Sequence, residues 1–275
     1  NYINAPTSSG DNTIFAGGLA RDFSLYKDHL AISAYETGGN DSMLHIFKSS
    51  STSGWELEQT LTTSSYNDGA AVNTSTGVNT FLAVKIYGDK LVTSGFSNGQ
   101  SRYLGIFASG TGGWAFEDSV FIRDGNTDGG ASNTGGSVSI SNVALDFDGT
   151  RIIAGSNESP YGQSHRNEIG TIYIIHSSSD GGWELERKMN LEDAGLTDDK
   201  TATFGPNYTA EYMTFRKFGA MGCSISGSYV VASAEGQNIN VSSLSSYRRQ
   251  KNSTFIFKSS STSGWNLEKR LIDPT

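Results

Sequence analysis

The chain has 275 residues, a net charge of −8, 17% charged residues and 36% hydrophobic residues. No apolar run reaches the ~18 residues that a spanning helix requires, which excludes that kind of membrane protein. The acidic balance argues against nucleic acid as a partner, because phosphates demand clustered Lys and Arg, and the one basic cluster, Arg248, Arg249 and Lys251, reads as a solvated loop tip.

Aromatic residues make up 11% of the chain, so it has rings that need a core and is not a disordered composition. With a single cysteine, Cys223, no internal disulfide forms, and its setting in Gly-Cys-Ser-Ile-Ser predicts a small apolar side chain on a strand. The chain opens at Asn1 with neither Met nor signal peptide, as a processed or excised form does, which suits a secreted protein.

Residues 1–14 form a polar N-terminal arm, expected to fray or to add a strand to a neighbour by edge pairing. Residues 15–275 form one domain of four repeats, at about 15–61, 81–121, 137–189 and 218–272. Each repeat opens with two short β-rich runs around a tight turn. The first is Phe23-Ser24-Leu25, Lys27-Asp28, then Leu30-Ala31-Ile32-Ser33; the fourth is Cys223-Ser224-Ile225, Gly227-Ser228, then Val230-Val231-Ala232-Ser233.

Each repeat closes on a tryptophan phrase. Trp55, Trp114, Trp183 and Trp265 all follow Gly, and residues 46–55 and 256–265 are the same ten letters, IFKSSSTSGW, which identifies duplication. Each unit is therefore predicted to be a four-stranded antiparallel meander. Alternation puts Trp55, Leu57 and Leu61 on one side of the last strand and Glu56, Glu58 and Thr60 on the other. A lone meander cannot bury both faces, so the tryptophans are expected to pack one sheet on the next, as propeller blades do. The long, variable segments 62–80, 122–136, 156–168, 190–217 and 235–253 all fall on one edge, where binding is expected. Helical periodicity is absent, except for one short turn admitted over Leu191–Leu196.

Phe218-Gly219-Ala220-Met221-Gly222-Cys223-Ser224-Ile225-Ser226-Gly227 followed by Val230-Val231-Ala232-Ser233-Ala234 resembles an FG-GAP repeat, the blade unit of integrin α-subunit propellers and of many secreted proteins. The strand pair ending in Gly-Trp-x-Leu-Glu looks like the same family, over nearly all of residues 15–272. The resemblance implies an all-β propeller, usually of seven blades. Only the fourth unit keeps Phe-Gly, and none keeps Gly-Ala-Pro; Ser33-Ala34-Tyr35, Ser94-Gly95-Phe96 and Gly155-Ser156-Asn157 stand there instead. Some members of that family hold calcium in an acidic hairpin loop, and Asp146-Phe147-Asp148-Gly149-Thr150 is the only partial match, so Asp146 and Asp148 are the candidate ligands of the one cofactor this reading admits. An Asp-Gly turn explains the same letters.

Other chemistry is sparse. Gly95-Phe96-Ser97-Asn98-Gly99 fits G-x-S-x-G but leads into a strand and not a helix. His29, His45, His165 and His176 lack zinc spacing. Glu192, Asp193, Asp198 and Asp199 read as an exposed acidic loop. Six sequons, at Asn40, Asn73, Asn157, Asn207, Asn240 and Asn252, are candidate N-glycosylation sites, all but Asn252 in expected loops.

The expectation is a non-enzymatic extracellular structural or adhesive propeller, a secreted glycoprotein that self-assembles into a surface layer or fibre. Its expected partners are itself or other extracellular proteins. The alternative is a lectin-like propeller that binds glycans through loop aromatics such as Tyr66, Phe96, Tyr161 or Tyr208, and a hydrolase ranks third.

Overall fold

A computed structural model describes residues 22–35, 42–62, 78–97, 102–122, 140–156, 170–190, 193, 215–216, 218–236, 238–241, 246–249 and 252–272. The N-terminal arm, Leu191, Glu192, Leu196, Asp198, Asp199, His165 and the loop aromatics Tyr66, Tyr161 and Tyr208 lie outside the described residues.

The described residues are all β. Sheet 1 is a meander of β1 (Asp22–Tyr26), β2 (His29–Tyr35), β3 (Ser42–Ser50) and β4 (Gly54–Thr62). Sheet 2 repeats it with β5 (Val78–Tyr87), β6 (Lys90–Ser97), β7 (Arg102–Gly110) and β8 (Gly113–Ile122). Sheet 3 consists of β9 (Ile140–Phe147), β10 (Arg151–Ser156), β11 (Thr171–Ser177) and β12 (Trp183–Met189). In sheet 4 the first strand is split into β13 (Phe215–Arg216) and β14 (Cys223–Ser226), both paired with β15 (Tyr229–Gly236). A separate hairpin, β16 (Asn238–Val241) with β17 (Ser246–Arg249), comes next, and β18 (Ser253–Ser260) and β19 (Gly264–Ile272) complete the sheet. Segment 235–253, expected to be loop, therefore contains a two-stranded hairpin that carries Asn240, Arg248 and Arg249.

The last strand of the repeat departs from simple alternation. Phe47 pairs with Leu57 but Ile46 pairs with Gln59, so Glu58 is the extra residue of a β-bulge. Glu117 and Glu268 hold the same place in sheets 2 and 4. Beyond the bulge the faces exchange. Leu61 pairs with Leu44 and shares its face with Ile46, whereas Trp55 and Leu57 share theirs with Phe47. The expected grouping of Trp55, Leu57 and Leu61 is thus corrected, and the reason is one inserted residue in a period of two.

The chain divides into two compact units. The first comprises Asn1–Ile122 with Ser177–Glu184, and the second Arg123–His176 with Leu185–Thr275. The core of the first unit is Ala31, Leu44, Ile46 and Leu61 of sheet 1 closed over by Phe81, Val84, Ile86, Leu91, Phe107 and Trp114 of sheet 2. That of the second is Ile153, Ile172, Ile174 and Met189 of sheet 3 under Phe218, Ile225, Val230, Phe255, Phe257 and Trp265 of sheet 4, with partly buried Cys223 packed against it. Each fully buried Leu, Ile or Phe in these layers contributes about 1.5–3 kcal/mol through apolar burial.

Candidate functional site: the sheet-to-sheet clasp

The residues that repeat most strictly in sequence converge at the contact between consecutive sheets. The bulge aims Glu58 out of the ladder. Its Oε2 accepts the indole N–H of Trp114 at 3.1 Å and lies 3.5 Å from His29 Nε2. In the second unit Glu186 repeats the arrangement: Oε1 accepts the indole N–H of Trp265 at 2.8 Å, and Oε2 accepts from Arg151 Nε at 2.7 Å. His29 and Arg151 both begin the second strand of their sheet, and Lys90, at the same place in sheet 2, pairs with the bulge residue Glu117. The basic groups also face the indoles. His29 meets Trp114 edge-on at 5.9 Å, and the Arg151 guanidinium lies 5.9 Å from the Trp265 ring centre.

The residue after the bulge secures the tryptophan backbone. Gln59 Oε1 accepts from Trp114 N at 2.7 Å while Gln59 Nε2 donates to Trp114 O at 2.8 Å, so one side chain stands in for a strand edge. Asp118 likewise accepts from Trp183 N at 2.9 Å. The glycine of Gly-Trp is required at Gly113, where φ is +95° and a Cβ would lie 2.6 Å from Gln59 Oε1.

First strands are joined by a second set of contacts. Ser24 Oγ accepts from Ile86 N at 3.0 Å, and Asp22 Oδ2 accepts from Val84 N at 2.9 Å and from Lys85 Nζ at 3.2 Å. In the second unit Asp146 takes the role of Ser24, accepting from Ile225 N at 3.0 Å and from the Ser224 hydroxyl. Asp148 Oδ2 accepts from Gly227 N at 2.9 Å, and its Oδ1 accepts from Thr150 N, Thr150 Oγ1 and Arg151 N. Burial by itself would raise the Asp148 carboxyl, but these donors outweigh it and hold the group below its ordinary value. Both candidate calcium ligands are thus engaged by N–H and O–H donors. Among the described residues no group of three or more His, Cys, Asp or Glu is arranged to hold a metal ion.

The Phe-Gly pair has its own place in this contact. Phe218 is fully buried, edge-on to Phe255 at 5.7 Å and to Phe257 at 6.0 Å. Gly219 has φ +73°, and a Cβ there would meet Ile172 Cγ1 at 2.4 Å. Gly155 occupies the position where Ser33, Ser94 and Ser233 stand, because a Cβ at Gly155 would lie 2.2 Å from the Gly219 carbonyl oxygen.

The remaining candidates are dispersed. His45 is buried with Nδ1 3.0 Å from Thr60 Oγ1, and burial holds it below the ordinary histidine value. Asp193 accepts from Arg187 at 2.7 Å and from Asn190 N at 2.8 Å. Gly95, Phe96 and Ser97 lie within β6. Of the sequons, Asn240 lies in β16 and Asn252 is exposed just before β18; Asn40, Asn73, Asn157 and Asn207 lie outside the described residues. No helix among the described residues is long and apolar enough to cross a membrane.

The clasp itself was missed by sequence reasoning. The available signal was Glu three residues after Trp in all four repeats, together with His29, Lys90 and Arg151 opening the second strand in three of them.

No protein-family model and no curated protein sequence matches this chain. Among solved structures the chain is similar to a prolyl endopeptidase, at 9% identity and TM-score 0.43, over 92% of this chain and 27% of that one. A Bombyx mori GH32 β-fructofuranosidase matches at 15% identity and TM-score 0.37, over 93% and 49%. A thermostable family-43 glycoside hydrolase matches at 13% identity and TM-score 0.32, over 94% and 75%. The chain thus spans about a quarter of the peptidase and half of the fructofuranosidase. The fold is all-β and propeller-like, built of four-stranded antiparallel sheets. The expectation of a structural or adhesive protein that forms a layer or fibre is corrected: the propeller-like structures it matches are glycoside hydrolases, and the lectin-like alternative gains no support.

Proposed function

We propose that this chain is an FG-GAP-like, extracellular, non-catalytic module that binds another protein on the face of sheet 4 turned away from sheet 3. The observation that carries the reading is a difference between equivalent faces. In sheet 1 the face turned to its neighbour carries Ala31, Leu44, Ile46 and Leu61, all 2% exposed or less. In sheet 4 the same positions are Val231, Thr254, Ile256 and Leu271, and none of them is buried. Thr254 replaces a leucine, Lys269 replaces Gln59, and Lys258 and Tyr229 flank the apolar centre. An apolar centre with a polar, cationic rim is the make-up of a protein-recognition surface. The two lysines favour a partner that carries carboxylates.

Light-activated cross-linking from position 256, in extract of the native source, tests the binding. A discrete protein adduct that disappears on Leu271→Arg is expected. Equal labelling of that species from exposed position 184, or no adduct at 256, would refute the reading.

A further inference from the structure

The first strands of sheets 2 and 4 each leave a free edge, and both edges are closed in the same way. Alternation along an antiparallel ladder turns the Val84 and Ile86 amides away from β6. Asp22 Oδ2 accepts the first at 2.9 Å and Ser24 Oγ the second at 3.0 Å. In sheet 4, Asp146 Oδ2 accepts the Ile225 amide at 3.0 Å and Asp148 Oδ2 the Gly227 amide at 2.9 Å. The side chains follow suit, with Ile86 only 5% exposed and Ile225 4%. β1 has the same edge without the cover. Leu25 pairs with Leu30 as Ile86 pairs with Leu91 and Ile225 with Val230, so its amide also points off the ladder, and that of Phe23, two residues back, does the same. Yet Leu25 is 61% exposed and Phe23 68%. Among the described residues no acceptor meets either amide. Lys27, which is exposed, holds the place of Gly227 in the turn, with φ +52° against +55°.

We propose that the open edge of β1 docks an acidic strand of another protein, which lies along β1 as β9 lies along β14. The two closed edges define the chemistry of that strand. Each is met by side-chain oxygens two residues apart, from Asp22 and Ser24 in one case and from Asp146 and Asp148 in the other, and three of these four groups are carboxylates. By the same register one carboxylate takes the Leu25 amide and the next takes the Lys27 amide, as Asp148 takes that of Gly227. The Lys27 ammonium adds a charge of the opposite sign. Apolar side chains of the docked strand cover Phe23 and Leu25, which water now meets. This edge belongs to sheet 1 and does not depend on what the sheet 4 face binds.

The probe is a synthetic peptide of residues 143–149, Val-Ala-Leu-Asp-Phe-Asp-Gly, the stretch that closes β14. It is added to the ¹⁵N-labelled full chain, in which β14 is already held by the chain's own β9. Before addition the Leu25 amide is expected to exchange with solvent far faster than those of Ile86 and Ile225. Protection of Leu25 in dilute chain would show that the chain covers its own edge, and protection that grows with chain concentration would place a second copy there; either result overturns the proposal. The peptide should shift the Phe23, Leu25 and Lys27 amide resonances saturably and slow Leu25 exchange. With asparagine in place of both aspartates it should bind about tenfold more weakly. Leu25→Pro removes the outward donor and no ladder bond, which an edge strand tolerates, so the variant should fold and lose the response at Phe23 and Lys27. No shift, equal binding of the asparagine peptide, or an unchanged response in Leu25→Pro would overturn the proposal. Should Leu25→Pro fail to fold, the asparagine peptide decides alone.

Discussion

The two internal sheet contacts, sheet 1 with sheet 2 and sheet 3 with sheet 4, use the same positions and different chemistry. A neutral hydroxyl, Ser24, accepts the Ile86 amide in the first, and a carboxylate, Asp146, accepts the equivalent Ile225 amide in the second. His29 stands in one where Arg151 stands in the other. Only the second contact inserts Phe218-Gly219, and it splits the first strand of sheet 4 to do so. The glutamate three residues after one tryptophan, and the next tryptophan that donates to it, are the same in both. The comparison teaches that geometry fixes which positions must touch, while residue type varies as long as a donor meets an acceptor and no amide is buried alone.

The largest way to break one contact and spare the other is at Phe218 and Gly219. Phe218→Ala leaves a cavity among Phe255, Phe257 and their neighbours, with an expected loss of about 3–5 kcal/mol. Gly219→Val adds strain at φ +73° and drives atoms into Ile172, and should be at least as damaging. Chemical denaturation measures both, and the first unit should retain its own transition.

Next come the tryptophans. Trp265→Phe removes the donor to Glu186 and should cost about 2 kcal/mol, in the range of hydrogen bonds to charged groups. Trp55→Phe should stay within about 0.5 kcal/mol, as surface substitutions do, because Trp55 is only half-buried and makes no such bond among the described residues. Equal losses at the two sites would show that packing alone matters.

The first-strand caps sharpen the comparison further. Asp146→Ala strands the Ile225 amide and the Ser224 hydroxyl, and should cost about 1–3 kcal/mol; Ser24→Ala should cost about 1 kcal/mol. Acid should also weaken the molecule at two places. His45 has a folded value below its ordinary 6.5, so its share of stability is full above that value and is lost as pH falls beneath it. Asp148 is likewise depressed, so its share is full above the ordinary carboxylate range and is lost as pH falls through its folded value. Thermal midpoints against pH for His45→Gln and Asp148→Asn would divide the two windows. The smallest expected effect is that of calcium: with the oxygens of Asp146 and Asp148 engaged, added calcium or a chelator should leave the melting temperature unchanged.

Much of this architecture was readable from the chain. The ten-letter duplication and the four Gly-Trp phrases mark the hairpins, because a repeat that must bury its face on a neighbour keeps the same apolar letters in the same order. What escaped was the direction of the side chains after Glu58. Alternation assumes an unbroken period of two, and a bulge leaves no mark in one copy of a strand; only the recurrence of Glu three residues after each Trp hints at it. The pairing of Glu58 with His29 also escaped, since the two are brought together by the meander and lie far apart along the chain. Asp146 and Asp148 carried letters that suit a cation, yet the structure aims backbone amides at both.

The central claim is that the glutamate three residues after one tryptophan and the next tryptophan form one unit, and double-mutant cycles test it most directly. Glu58→Gln with Trp114→Phe, and Glu186→Gln with Trp265→Phe, should each show a coupling of about 1 kcal/mol or more, as groups sharing a hydrogen bond do. Coupling below about 0.3 kcal/mol in both cycles, the additive behaviour of independent sites, would contradict it.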